Sequence, residues 1–496
     1  MIGDKSPAER THRGRESWRK VPHMLFNSYT FAVFFVTVLI LYYLVQSWKW
    51  RKIILLAASY LFYAAWNPPF VVLLWVSTLV DWFAARGIHA SRSQRMRRLF
   101  LAISLIANLG LLGFFKYGTF LAENFLALAR SLGWDLTLAA PSIILPVGIS
   151  FYTFQTLSYT LDVYRRKTPP AGSFLDYALY VAFFPQLVAG PIVRSVDFLP
   201  QCEQPKGFSG KALGWGLSLM LLGLFEKTAI ADGLLAPISE AVYNSSSQLD
   251  FVSAWCGTLA FSAQVFLDFA GYSLCAIGAA LCLGFTIREN FRSPYAAVGF
   301  SDFWRRWHIS LSSWFRDYLY VPLGGSRHGR FRTLAGITVT MLLGGLWHGA
   351  SWTFVIWGAL HGLYLILERV VRRIVPRRLA DISFLRLPVA ILTFLLVCVA
   401  SVFFRAGSLE QGLRISTTLL GFGPDGETRL LRPEPIAMSL GITILLLSIH
   451  WVMRDRNFTE VVTRIPWWAR SLALAAMLVG VLGFSGEDHA FIYFQF

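Results

Sequence analysis

Apolar runs of about twenty residues recur along the whole 496-residue chain, and that is the length a helix needs to cross a hydrocarbon core of about 30 Å. One such run could be a signal sequence; a series cannot. Inside lipid every backbone N–H and C=O must find a partner within the protein, so runs of this length are expected to fold as spanning helices. Composition agrees: 55% of residues are apolar, 16% aromatic and 15% charged, against roughly a quarter charged in an average soluble protein. A soluble domain this apolar could not cover its surface with polar groups. The expected fold class is all-α, a polytopic integral membrane protein.

A formal charge of +17 raises the question of nucleic acid. The basic residues, however, fall in short clusters between the apolar runs, which is how cytoplasmic loops are marked. A basic stripe interleaved with aromatics on a soluble face is missing, so no nucleic-acid partner is expected; the lipid bilayer is. Cys202, Cys256, Cys275, Cys282 and Cys398 form no CxxC pair and read as small membrane-core residues, with neither a disulfide framework nor a metal site.

Residues 1–23 are polar and basic and read as a disordered extension or a mis-assigned start, with the membrane domain at 24–496. The expected spans are about 28–47, 99–115, 143–161, 212–231, 387–404, 436–452 and 469–484, with shorter runs at 53–66 and 70–84 split by Asn67-Pro68-Pro69. Residues 181–191 are too short and too rich in Pro and Gly to cross, so a re-entrant or surface segment is expected there. The apolar stretch 251–285 exceeds one straight crossing, and Asp268 and Gly271 are expected to interrupt it. No internal repeat is evident.

The stretch 334–367 constrains function most. Basic clusters flank it on both sides: Arg327, Arg330 and Arg332 before, Arg369, Arg372, Arg373, Arg377 and Arg378 after. Both ends should therefore face the cytoplasm, and the stretch must enter and return, with its turn near GGLWHG at 344–349. That places His348 deep in the bilayer. An ionisable residue at such depth costs several kcal/mol unless satisfied, and is a functional candidate by default. The alternative is a neutral imidazole bonded to a carbonyl and gluing helices.

A second candidate is His308 in FWRRWHISLSSW, where Trp304, Trp307, Leu311, Trp314 and Phe315 recur at helical spacing. This reads as an amphipathic helix at the cytoplasmic interface. Arg305 and Arg306 there either meet lipid phosphates or capture a phosphorylated donor. His361, on the returning arm, reads as structural; His450 and His489 have no chemical neighbourhood. Asp268 is a carboxylate in an apolar stretch and needs a partner, a histidine it orients or an arginine it pairs with. The chain has no Walker A loop, no HExxH and no GxSxG, so ATP-driven transport, zinc hydrolysis and α/β-hydrolase chemistry lack support.

Several segments, in order and at characteristic spacing, resemble the membrane-bound O-acyltransferase (MBOAT) family, and most closely its bacterial alginate O-acetyltransferase-like branch. They are LPVGISFYTFQTLSYTLDVYR (145–165), FFPQLVAGPIVR (183–194), QVFLDFAGYS (264–273), RENFRSPY (288–295), FWRRWHISLSSWFRDYLYVPLGG (303–325), GGLWHGASWTFVIWGALHG (344–362) and the terminal FIYFQF. The likeness runs from Met24 to the last residue; Ala270, where relatives often have Ser, departs from it.

The resemblance implies about ten or eleven transmembrane helices, with re-entrant and interfacial helices around a central tunnel, in the bacterial inner (cytoplasmic) membrane. It implies His348 as the catalytic residue and His308 as a second functional histidine. Arg305, Arg306, Trp307 and Ser310 are the candidates for holding the donor, with Asp268, Gln264 and Trp347 supporting. Acetyl-CoA is the expected donor substrate, with no permanently bound cofactor. An exported polysaccharide such as alginate is the expected acceptor, reached directly or through a periplasmic SGNH-type partner. Imidazole suits the chemistry, because its reference pKa of about 6.5 lets it take a hydroxyl proton near neutrality. Two other readings are D-alanyl transfer from a carrier-protein thioester to teichoic acid, and a non-catalytic membrane transport subunit.

Overall fold

The computed structural model describes residues 24–136, 143–188, 190–327, 329–375, 382–423 and 429–484. The extension 1–23, Arg377, Arg378, His489 and the terminal FIYFQF lie outside these. Among the described residues the structure is helical, without strands. In chain order the helices are α1 (Tyr29–Leu44), α2 (Trp48–Ala64), α3 (Phe70–Ala90), α4 (Gln94–Leu112), α5 (Gly118–Ser131), α6 (Ile149–Tyr164), α7 (Phe174–Ala182), α8 (Phe184–Leu187), α9 (Ser195–Glu203), α10 (Gly210–Leu224) and α11 (Ala236–Tyr243). They continue as α12 (Phe251–Cys282), α13 (Phe300–Arg306), α14 (Ile309–Phe315), α15 (Arg330–His348), α16 (Trp352–Ile374), α17 (Arg386–Arg405), α18 (Leu409–Leu419), α19 (Pro433–Met453), α20 (Phe458–Arg464) and α21 (Trp467–Gly483).

Six of the described helices are long and apolar enough to cross a membrane: α3, α4 with α5, α12, α16, α17 and α19. The pair α20 and α21, bent by 114°, makes a seventh if it is one span. A total of ten or eleven would draw on shorter helices, such as the 16-residue α1.

At the centre stands α12, 32 residues long and mostly buried. The sequence suggested a break at Asp268 and Gly271; the helix runs through both. Asp268 is satisfied by Lys227 at 2.5 Å. Gly271 meets Gly223 of α10 so closely that a Cβ on it would lie 2.5 Å from the Gly223 carbonyl oxygen. The glycine is there for close approach between two backbones, as membrane helix contacts favour. The span expected at 99–115 also runs on: a π-type turn at Gly113–Tyr117 joins α4 to α5, giving one 38-residue rod. Residues 183–188 pack as buried irregular backbone and the short α8, in keeping with the rule that such backbone needs protein around it.

The return of 334–367 is observed. α15 and α16 form an antiparallel hairpin whose turn is Gly349–Ser351. At its crossing, a Cβ on Gly345 would stand 2.2 Å from the Phe354 carbonyl oxygen, and one on Gly358 would stand 2.3 Å from that of Met341. From Leu334 to His348 the helix rises about 21 Å, so the histidine lies far from the basic end of the hairpin. Basic segments gather at that end. Arg97 donates to the Tyr164 carbonyl at 2.6 Å, Arg165 to that of Asp317 at 3.2 Å, and Arg194 pairs with the Asp317 carboxylate at 2.8 Å.

A methyl group at Gly345 or Gly358 has nowhere to go. Gly345→Ala and Gly358→Ala should each destabilise the protein by roughly 1–3 kcal/mol, lowering the midpoint of thermal unfolding in detergent. Gly441→Ala, at an open position with nothing within 4 Å, should leave the midpoint unchanged; equal midpoints for all three variants would contradict the packing argument.

Candidate active site

The two histidines expected to act are brought together around one indole. His348 ends α15, and its ring centroid lies 5.0 Å from that of Trp347 and 4.9 Å from that of Trp357. His308 lies 5.8 Å from the same Trp347 ring and meets Phe269 of α12 edge-on at 4.6 Å. Both imidazoles are buried. Beyond Trp357 the aromatic series continues to His361, 4.7 Å away, which packs against Phe303 and Trp304.

His308 does not sit within an amphipathic helix, as its spacing suggested. It breaks the segment into α13 and α14 with φ 43° and ψ 55°, a left-handed conformation. For a non-glycine residue that is costly unless its surroundings enforce it. Asn290 enforces it. Its carbonyl oxygen accepts from Ile309 N at 2.8 Å, and its side-chain Oδ1 accepts from Ser310 Oγ at 2.9 Å and Ser310 N at 3.3 Å. The same Oδ1 lies 3.1 Å from His308 Nδ1, while Asn290 Nδ2 donates to Ser273 Oγ at 3.3 Å. With the amide so oriented, Nδ1 carries the proton and Nε2 the lone pair. Nε2 has no hydrogen-bond partner.

A cavity of about 590 Å³ opens beside α15 and α16. His348 and Trp357 line its deep end, and Arg316, Arg369, Arg372 and Arg373 line the other. Along α16 the distance from Trp357 to Arg373 is about 24 Å. The cavity is thus long, apolar in its middle and cationic at its mouth. Arg316 is held by Asp317 at 2.8 Å and Arg372 by Glu368 at 2.5 Å; no carboxylate among the described residues pairs with Arg369 or Arg373. Burial alone would raise the Asp317 pKa, but hydrogen bonds from Arg316 and Arg194 hold it below the ordinary carboxylate value. Arg316 therefore keeps its ion pair with Asp317 at neutral pH.

A second hollow, of about 360 Å³, lies at the tip of the hairpin. Phe120, Glu123 and Asn124 of α5 face Ser351, Trp352 and Thr353 across it. Trp352 Nε1 donates to Asn124 Oδ1 at 2.8 Å. His348 lines the first cavity, and the residues that follow it at the hairpin turn, Ala350 to Thr353, line the second.

Residues 171–406 match the family model described as MBOAT, membrane-bound O-acyltransferase family. The chain is 40% identical over 438 residues to the probable alginate O-acetylase AlgI of Azotobacter vinelandii, covering 88% of this chain and 86% of that protein. It is 32% identical to the peptidoglycan O-acetyltransferase of Helicobacter pylori, covering 95% and 98%. The chain belongs to the membrane-bound O-acyltransferase family. It is a multi-pass membrane enzyme that transfers acyl groups to hydroxyls. A partial likeness, 29% identity over 46% of this chain and 59% of the relative, links it to the teichoic acid D-alanyltransferase of Lacticaseibacillus rhamnosus.

Several members of the expected site lie elsewhere in this MBOAT structure. Arg305 is exposed and bonds the Ser301 carbonyl at 3.0 Å; Arg306 is engaged by Asp302 at 3.0 Å and by the Arg454 carbonyl at 2.8 Å. Burial would raise the Asp302 pKa, but bonds from Val298 N, Arg306 and Arg454 lower it instead, so this pair is a fixed strut. Trp307 is packed among Phe266, Phe291, Tyr295 and Phe303. None of the three, nor Ser310, lines the cavity. Asp268 binds Lys227, and Gln264 Oε1 accepts from Ser239 at 2.7 Å; both look away from the histidines, which α12 meets through Phe269.

Asn290 lies within the family-like segment RENFRSPY but carries no signal of its own in the sequence. The mouth arginines stand in basic clusters that, by sequence alone, mark topology. Asn290→Ala should free the His308 ring and relax its backbone. Acyl transfer is then expected to fall on the order of 100-fold in a chain that still folds, with Ser310→Ala milder. The check is a rate comparison on purified, monodisperse protein, and unchanged rates would remove Asn290 from the site.

Proposed function

We propose that this enzyme takes acetyl-CoA from the cytoplasmic side of a bacterial inner membrane and delivers the acetyl group to an exported polysaccharide. The delivery is direct or by way of a periplasmic SGNH-type partner. One observation carries the reading: a single cavity has His348 at its deep end and arginines at its mouth. A donor with a long thin arm and phosphates at its far end matches both ends. Guanidinium groups hold phosphate by paired, charge-assisted hydrogen bonds, and the arm reaches the imidazole.

In the proposed step His348 takes the proton of the acceptor hydroxyl, and the oxygen attacks the thioester carbonyl carbon. The tetrahedral intermediate collapses with cleavage of the C–S bond, so the acetyl ester forms and the thiol leaves with the proton returned by the imidazolium. A thiolate, with a reference pKa of about 8.5, needs little acid assistance. The acceptor comes by the hairpin-tip hollow, where Trp352 and Phe120 offer ring faces and Glu123, Asn124, Ser351 and Thr353 offer hydrogen bonds. His308 stands behind Trp347 and holds the indole wall against which His348 rests.

The acceptor names of the relatives, alginate and peptidoglycan, make an exported glycan the proposed class. The shorter likeness to a D-alanyltransferase favours acetyl over D-alanyl transfer.

The test is release of CoA thiol and label transfer from radiolabelled acetyl-CoA by the full chain in nanodiscs. All five cysteines are buried, so a thiol reagent reports the product. His348→Ala should lower turnover by roughly 10²–10⁴-fold. Changing Arg369 and Arg373 together to Gln should raise KM for acetyl-CoA about tenfold with kcat nearly kept, and Arg305→Gln should alter neither. Retained turnover in a folded His348→Ala protein would sink the assignment. Transfer from a D-alanyl carrier in place of acetyl-CoA would move the donor to the other class.

A further inference from the structure

Lys116 is a lone basic residue in the apolar text GFFKYGTF, and the chemistry described so far gives it no task. It lies in the π-type turn between α4 and α5, a local widening of the helix that re-aims side chains and often marks a functional position. Its ammonium donates at close range to the carbonyl oxygen of Trp347, and reaches that of His348 at 3.4 Å and Ser150 Oγ at 3.5 Å. The next residue, Tyr117, donates its hydroxyl to the Leu346 carbonyl at 2.8 Å. Two consecutive residues of one turn thus take three consecutive carbonyls: Leu346, Trp347 and His348.

Those carbonyls belong to the last turn of α15, where no further helix exists to satisfy them. Gly349 leaves the helix in an extended conformation, φ −161° and ψ 148°. A cation at this end also meets the negative pole of the helix dipole. The same ammonium stands 5.6 Å from the centroid of the Trp347 indole, the ring packed against both imidazoles. A hydroxyl could serve one carbonyl at less cost than a charge at membrane depth. The ammonium adds reach, because it ties the end of α15 to α6 through Ser150. From Lys116 the same helix face continues through Phe120, Glu123 and Ala127, which line the tip hollow.

We propose that Lys116 is the positioning residue of His348: with Tyr117 it clamps the last turn of α15 and fixes the imidazole at the deep end of the cavity. The inference deepens the reading of His348 as the reacting base, and rests on it for its kinetic consequence. It does not rest on it for its structural consequence.

The test compares the native full chain with Lys116→Met, Lys116→Arg and Tyr117→Phe in nanodiscs. Lys116→Met should lower kcat roughly tenfold or more while KM for acetyl-CoA stays within about twofold, and Lys116→Arg should recover most of the loss. Hydrogen exchange at residues 344–352 should quicken in Lys116→Met and much less in Lys116→Arg, with Tyr117→Phe between them. Native exchange in Lys116→Met, an unchanged kcat, or an arginine variant as impaired as the methionine one each overturns the clamp. If the native chain consumes no acetyl-CoA, the proposed function fails, and the exchange measurement still decides the clamp.

Discussion

The arrangement depends on one contact: the backbone of α15 lies against the backbone of α16 where Gly345 faces Phe354 and Gly358 faces Met341. Side chains at this crossing would push the two arms apart. With hydrogen there instead, the helices close, the turn is confined to three residues, and His348 comes to the end of a rigid rod instead of into a loop. The cavity follows from the same contact, because both arms contribute to its walls and α16 brings Arg369, Arg372 and Arg373 to its mouth.

The histidines are held in different ways. His348 is set by where a helix ends. His308 is set by a break between two helices, and that break is stabilised by Asn290, which satisfies the freed amides of Ile309 and Ser310. A left-handed residue in mid-segment is strained, and it survives because a neighbouring segment supplies the hydrogen bonds that a continuing helix would have made. The rotation it introduces turns the imidazole toward the Trp347 indole.

The membrane class and the hairpin at 334–367, with His348 beside its turn, were legible in the sequence because each rests on signals that act locally, apolar length and the sign of flanking charge. Pairings between distant segments were not legible. Asp268 read as a possible interruption because its cation, Lys227, stands forty-one positions earlier, in the π-type segment Phe225–Leu235 that follows α10. The pattern of Trp304, Trp307, Leu311 and Trp314 read as one helix because periodicity reports buried faces and is blind to a single left-handed residue. Arg305 and Arg306 drew attention by adjacency to His308, yet helix direction turns them outward, while Arg369 and Arg373 reach the cavity from the end of α16. Lys116 carried a usable signal, a cation inside an apolar run, and its partners could be known only from where α15 stops.

The ionic cluster on α12 bears on how the chain is made. Lys227 is bound to Asp232 at 2.8 Å and to Asp268 at 2.5 Å, all three buried. Lys227 and Asp232 lie on one segment, Phe225–Leu235, and pair there, whereas α12 alone in lipid would carry Asp268 without its lysine, at a cost of several kcal/mol. During synthesis α12 should therefore settle into lipid only against the earlier segment, whose lysine is already in place to receive Asp268. The close approach of Gly223 and Gly271 then holds the lysine within reach of Asp268, and ties the order of insertion to the core of the finished protein.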